Sequence, residues 1–85
     1  MATITHGEGT TVVDVRDDLR HGREPFMEIM KALREMPQGN AFVLYATFKP
    51  EPLIDLLAGE GFEHAAQELP DGSWSVRFER RSFGG

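Results

Sequence analysis

The chain contains no cysteine. Disulfides, thiolate metal sites and every thiol-nucleophile mechanism are therefore excluded. Positive charge is scarce as well: nine lysines and arginines face fourteen acidic residues, for a formal net charge of −5. A dedicated nucleic-acid binder needs a basic surface or a strong basic patch, so nucleic acid is not the expected partner. No apolar run approaches the roughly 20 residues of a membrane-crossing helix. The first residues also lack the basic-then-apolar pattern of an export signal, and a cytoplasmic location with no membrane partner is the expectation. His6, His21 and His64 are far apart, with neither i, i+4 nor His-x-His spacing. No metal site and no cofactor is expected from such a pattern.

What remains is a single small domain of 85 residues, near the lower limit for folding without staples. Residues 1–10 carry threonine and glycine without apolar periodicity and read as a flexible lead-in, with His6 solvated. Thr11–Val15 is β-branched and reads as the first strand. Residues 16–24 read as a polar loop, long for a strand-to-helix connection and for that reason a candidate functional segment. Pro25 suits the first position of a helix. Phe26, Met27, Ile29, Met30, Leu33 and Met36 then form an amphipathic stripe. Pro37 stops this helix by biasing Met36 away from α geometry.

Ala41–Thr47 is apolar on both alternating faces and reads as a central strand. Pro52 opens a second helix, with Leu53, Ile54, Leu56 and Leu57 on its buried side and Gly59 and Gly61 at its end. Phe62–Leu69 is a weaker strand, Pro70-Asp71-Gly72 a turn, and Ser73–Arg80 a strand with Trp74, Val76 and Phe78 facing inward. Residues 81–85 read as a tail. The order β-α-β-α-β-β predicts an α/β two-layer sandwich over residues 11–80, with a four-stranded mixed sheet and two helices on one face.

Two stretches share a pattern. Glu24-Pro25-Phe26-Met27-Glu28 and Glu51-Pro52-Leu53-Ile54-Asp55 both read Glu-Pro, two apolar residues, then an acid. Shared helix-start chemistry explains this without any function. Position adds something, because both helices follow parallel strands and so open at one edge of the sheet, where open α/β sheets bind ligands. Arg16, Arg20, His21, Arg23 and Lys49 gather in the two loops of that edge. They form a candidate site for a small anion or an acidic protein partner. Asp17, Asp18, Glu24 and Glu51 stand ready to neutralise it from within.

The residues Asp14-Val15-Arg16, Glu24-Pro25, Lys49-Pro50-Glu51-Pro52-Leu53, Gly61-Phe62 and Trp74-Ser75-Val76-Arg77 resemble the domain-of-unknown-function family 2249. That family is similar to the TusA-like (SirA-like) sulfur carriers. The resemblance spans about residues 12–80 and implies the same β-α-β-α-β-β sandwich. In the sulfur carriers a Cys-Pro-x-Pro motif opens the first helix, and its cysteine carries a persulfide. The matching stretch here is Gly22-Arg23-Glu24-Pro25, which keeps only the last proline and puts Gly22 at the cysteine position. Sulfur transfer by that mechanism needs a thiol this chain lacks. Family members often accompany hemerythrin-like or other metal and redox domains, which implies a role beside such partners. The C-terminal domain of translation initiation factor three has the same general fold, but the acidic charge here disfavours RNA.

Three function classes follow. A binding or interaction module is favoured, because an uncovered face of Ala41–Thr47 (Phe42, Leu44 and Ala46, or Val43 and Tyr45) offers a surface for homodimerisation or docking. A metal- or redox-associated accessory would use His21 with Asp17 or Asp18. An acid/base enzyme would use His21 with Asp14 or Asp18, but no nucleophile is marked and no specific catalytic motif is present.

Overall fold

The computed structural model describes residues 2–81; the tail expected at 81–85 falls outside them except for Arg81. Strands β1 (Thr3–His6), β2 (Thr10–Asp14), β3 (Ala41–Ala46), β4 (Phe62–Glu68) and β5 (Trp74–Arg80) form one sheet in the order β1-β2-β3-β5-β4. Three helices connect them: α1 (Arg16–Arg20), α2 (Phe26–Glu35) and α3 (Glu51–Gly59). The sheet therefore has five strands where four were expected.

The extra strand lies in the segment expected to be a flexible lead-in. Thr3–His6 pairs antiparallel with β2 across a Gly7-Glu8-Gly9 turn, with Ile4 opposite Val13. Gly9 takes a positive φ of 79° there, and the Gly7 N–H donates to the Thr10 carbonyl at 2.9 Å. Glycine supplies that conformation without steric cost. His6 is not merely solvated. Its Nδ1 lies 2.9 Å from the Oγ1 of Thr11, which is fully buried and also accepts from Asn40 Nδ2 at 3.2 Å.

β2 and β3 run parallel, as their helical crossover requires, while β5 pairs antiparallel with both β3 and β4. Register puts Thr11, Phe42 and Phe78 in one cross-strand row, and Val13, Leu44 and Val76 in the next. All six are buried. Together with Ile29 and Ala32 of α2, and Leu53, Ile54 and Leu57 of α3, the apolar members of these rows build a single core cluster. Phe42 and Phe78 meet at its centre with ring centroids 6.1 Å apart. Burying such side chains stabilises the fold by about 1.5–3 kcal/mol each. Val43 and Tyr45 occupy the opposite row and are only half-buried, so they rather than Phe42 and Leu44 turn outward. Ser73 was expected outward too, yet it is buried.

Helix limits follow local chemistry. α2 stops at Glu35 because Met36, ahead of Pro37, adopts an extended conformation (φ −62°, ψ 131°). α3 ends through Gly61 at φ 92°, whose N–H donates to the Ala58 carbonyl. Two expectations about helix faces need correction. Phe26 and Met27 stand exposed at the start of α2, and Leu56 is exposed on α3.

The proline register is the cause. Ile29 N–H donates to the Pro25 carbonyl and Ile54 N–H to the Pro50 carbonyl, each at 3.0 Å. Pro25 is therefore the structural counterpart of Pro50, not of Pro52. Pro25 and Pro50 both occupy the cap position, and Pro52 lies inside the first turn of α3. Phe26 thus corresponds to the solvated Glu51.

Candidate functional site

The stretch 16–24 is not wholly a loop. Val15 donates its N–H to the Tyr45 carbonyl as β2 ends, and the chain then turns at once into α1. Leu19 packs against the core cluster and Asp18 is only 1% exposed, so this short helix is held by tertiary contact rather than by its own length. His21 closes it, with Nδ1 2.7 Å from the Asp17 carbonyl oxygen. A carbonyl only accepts, so Nδ1 carries the proton. Gly22 follows at φ 73°, its N–H donating to the Leu19 carbonyl.

The five candidate side chains divide into separate environments. Arg16 grips Asp14 through two parallel hydrogen bonds, Nε to Oδ1 at 3.0 Å and Nη2 to Oδ2 at 2.8 Å. Its guanidinium lies 5.1 Å from the centre of the Tyr45 ring and reaches Ser73 Oγ at 3.4 Å. This fork holds the Asp14 carboxyl below its ordinary pKa and keeps the Arg16 charge more firmly in place. Asp71 is likewise lowered, chiefly because the Ser73 hydroxyl and backbone N–H both donate to it.

Each of the other cations also has an acidic neighbour. Arg20 meets Asp17 at 3.4 Å, Arg23 meets the buried Asp18 at 3.6 Å, and Lys49 meets Glu51 at 3.3 Å. Lys49 also lies 5.9 Å from the centre of the Trp74 ring. Arg16 and Arg20 border one shallow polar depression with Thr3, Asp14 and Asp17. Arg23 and Lys49 adjoin, along the chain, residues that line a different feature.

That feature is an apolar cleft of about 240 Å³, lined among others by Val15, Leu19, Pro25, Phe26, Phe48 and Pro50. It lies where β2 and β3 end and where α2 and α3 begin. The two capping prolines are buried in its wall, whereas Phe26 is 42% and Phe48 53% exposed at its mouth. The sequence reading found this edge from its charges and missed the cleft. Phe48 was the overlooked signal: an aromatic residue between a strand and a proline-opened helix, with no periodic reason to be there. Among the described residues, no group of three or more histidines, aspartates or glutamates is placed to hold a metal ion. None of their helices is long and apolar enough to cross a membrane.

One family model matches residues 12–80, most of the chain; its description is "Uncharacterized conserved protein (DUF2249)". The chain belongs to the DUF2249 family. No curated protein and no solved structure matches it. The DUF2249 match takes in α1, both capping prolines and the whole cleft, and it begins after β1.

Proposed function

We propose that this DUF2249 domain is a cytoplasmic two-layer binding module that docks an acidic segment of a protein partner at the edge where α2 and α3 begin. The observation that carries this reading is the apolar cleft between the two capping prolines, with Phe26 and Phe48 exposed at its mouth. An apolar side chain of the partner fills the cleft. Carboxylates beside that side chain share Arg23 and Lys49, which adjoin the lining residues Glu24 and Phe48 in the chain. Their existing ion pairs do not forbid this. Both cations are substantially exposed. The Lys49–Glu51 pair is exposed on both sides and worth only about 0–1 kcal/mol. Arg23 can keep its contact with the buried Asp18 while its outer N–H groups meet a second carboxylate.

Gly22 supports the separation from thiol chemistry. It stands at the position that matches the cysteine of the sulfur carriers, yet its φ of 73° belongs to the left-handed region. An L-residue such as cysteine is strained there. The domain keeps a carrier-like architecture and uses the edge for recognition instead. His21, whose Nδ1 closes α1, acts in helix termination rather than as a general base.

The test is an NMR titration with a capped tripeptide, leucine flanked by two aspartates. Its lysine-flanked analogue and inorganic phosphate serve as separate probes. Amide shifts are expected at Val15, Leu19, Phe26 and Phe48 with the acidic peptide. Phe48→Ala should weaken its binding by about 1–2 kcal/mol. Equal binding of the lysine-flanked peptide removes the acidic requirement, and shifts with phosphate alone make the site a simple anion site. No shift with any probe removes the docking edge.

A further inference from the structure

β4 is an outer strand of the sheet, and among the described residues no strand pairs with its free side. The Gly61 carbonyl accepts from the Arg81 N–H at 2.9 Å, and the Leu69 N–H donates to the Ser73 carbonyl at 2.7 Å. These two bonds bracket the strand, and the antiparallel register between them is unbroken. Backbone direction alternates along a strand. Glu63, Ala65 and Gln67 therefore bond to β5, while Phe62, His64, Ala66 and Glu68 turn their N–H and C=O groups away from the sheet. Natural edge strands are commonly blunted by charged side chains, especially lysine, by proline or by a bulge. β4 has no lysine, proline or bulge, and its charges are Glu63 and Glu68. At the other edge, β1 has only four residues, of which Ile4 and His6 face outward by the same alternation from the Gly7–Thr10 bond.

We propose that β4 pairs with β4 of a second copy of this chain, antiparallel about a two-fold axis centred on Ala66. Charge selects both the occupant and the register. With Ala66 opposite its own copy, His64 of each chain faces Glu68 of the other in a hydrogen-bonded pair, and the imidazole donates to the carboxylate. Both side chains are exposed and lie on the same side of the strand. Centring on His64 instead sets Glu60 against Glu68, two like charges. Centring on Ala65 sets Glu68 against the buried Phe62. Only the Ala66-centred register joins unlike groups twice, and it ends where Pro70, with no N–H to donate, reaches Phe62 of the other chain. The resulting sheet has ten strands, twice the five of one copy. The interface is narrow and polar, so the dimer forms at high concentration and dissociates on dilution. No residue of β4 lines the apolar cleft, so either site is testable without the other.

Sedimentation of the full chain from about 10 μM to about 1 mM, the range where small interfaces dissociate, reads the equilibrium. A monomer–dimer transition is expected, with concentration-dependent amide shifts at 64, 66 and 68. His64→Glu and Glu68→His should each weaken the dimer by about 2- to 30-fold, because both symmetry-related pairs change together. The double exchange H64E/E68H should restore it. Ala66→Pro removes an outward N–H and should give a folded monomer; if it fails to fold, the exchange pair still decides. A monomer throughout, assemblies larger than a dimer, or a dimer indifferent to the exchange would each overturn the proposal.

Discussion

α2 and α3 open with the same five-residue pattern, but the pattern does not align them. Aligned by backbone hydrogen bonds, Pro25 matches Pro50, Ile29 matches Ile54 and Ala32 matches Leu57. The Glu-Pro echo is displaced by two residues from this correspondence. Its two prolines do different work, one capping a helix and one sitting within a first turn. The lesson concerns size at the sheet: Ala32 and Leu57 are both fully buried, so α2 fits against the core with one methyl group where α3 fits with an isobutyl group.

The largest test of that correspondence is a pair of size changes. Leu57→Ala should cost about 2–5 kcal/mol through lost burial and a residual cavity. Ala32→Leu should cost about 1–3 kcal/mol through overpacking. Urea unfolding measures both, and a neutral Ala32→Leu would mean that α2 has room the packing does not show. Smaller effects separate the prolines. Pro25→Ala and Pro50→Ala should each cost about 1–2 kcal/mol, because buried ring atoms are lost as well as chain stiffness. Pro52→Ala, at an exposed position, should cost no more than about 0.5–1 kcal/mol. Equal losses at 25 and 52 would restore the alignment suggested by the Glu-Pro pattern.

Much of this fold was legible because several local signals agreed. Pro37 after an amphipathic run stopped α2, Gly61 closed α3, and the alternation from Trp74 to Phe78 marked β5. β1 was not legible. Thr3, Ile4, Thr5 and His6 offer no apolar rhythm, and they form a strand only because β2 presents an edge that a glycine turn lets them reach. α1 escaped notice because five residues, four of them charged, have no intrinsic helix stability; the Leu19 contact that holds them is tertiary. The cations were found, but their pairings depend on side-chain directions that spacing alone does not give. Asp14 ends β2 and Arg16 opens α1, so the chain turns between them and the two side chains meet, with the Tyr45 ring beside the guanidinium.

That pairing sets the most conditional effect. A carboxyl with a folded pKa below its ordinary value of 3.8 contributes stability above that pH and loses it as the pH falls through the folded value. Asp14→Asn should therefore cost about 1 kcal/mol at neutral pH, after allowance for solvent screening. The difference from the unaltered chain should shrink as the pH drops below about 3.8, where Asp14 of the unfolded chain takes up a proton, and vanish once the pH has passed the lower folded value. Asp17→Asn, which touches only the exposed Arg20 pair, should stay within about 0.5 kcal/mol at every pH. Chemical denaturation at stepped pH distinguishes the two. Parallel curves would show that the Arg16 fork contributes no more than the Arg20 contact.

The neighbours of Lys49 and Arg16 have an optical consequence. The chain has one tryptophan and one tyrosine. Trp74 lies beside Lys49, and Tyr45 beside Arg16. Tryptophan is excited alone at the red edge of its absorption, where tyrosine does not absorb. The domain therefore carries one unlabelled fluorescent gauge beside Lys49. A ligand that draws Lys49 away changes the surroundings of that ring.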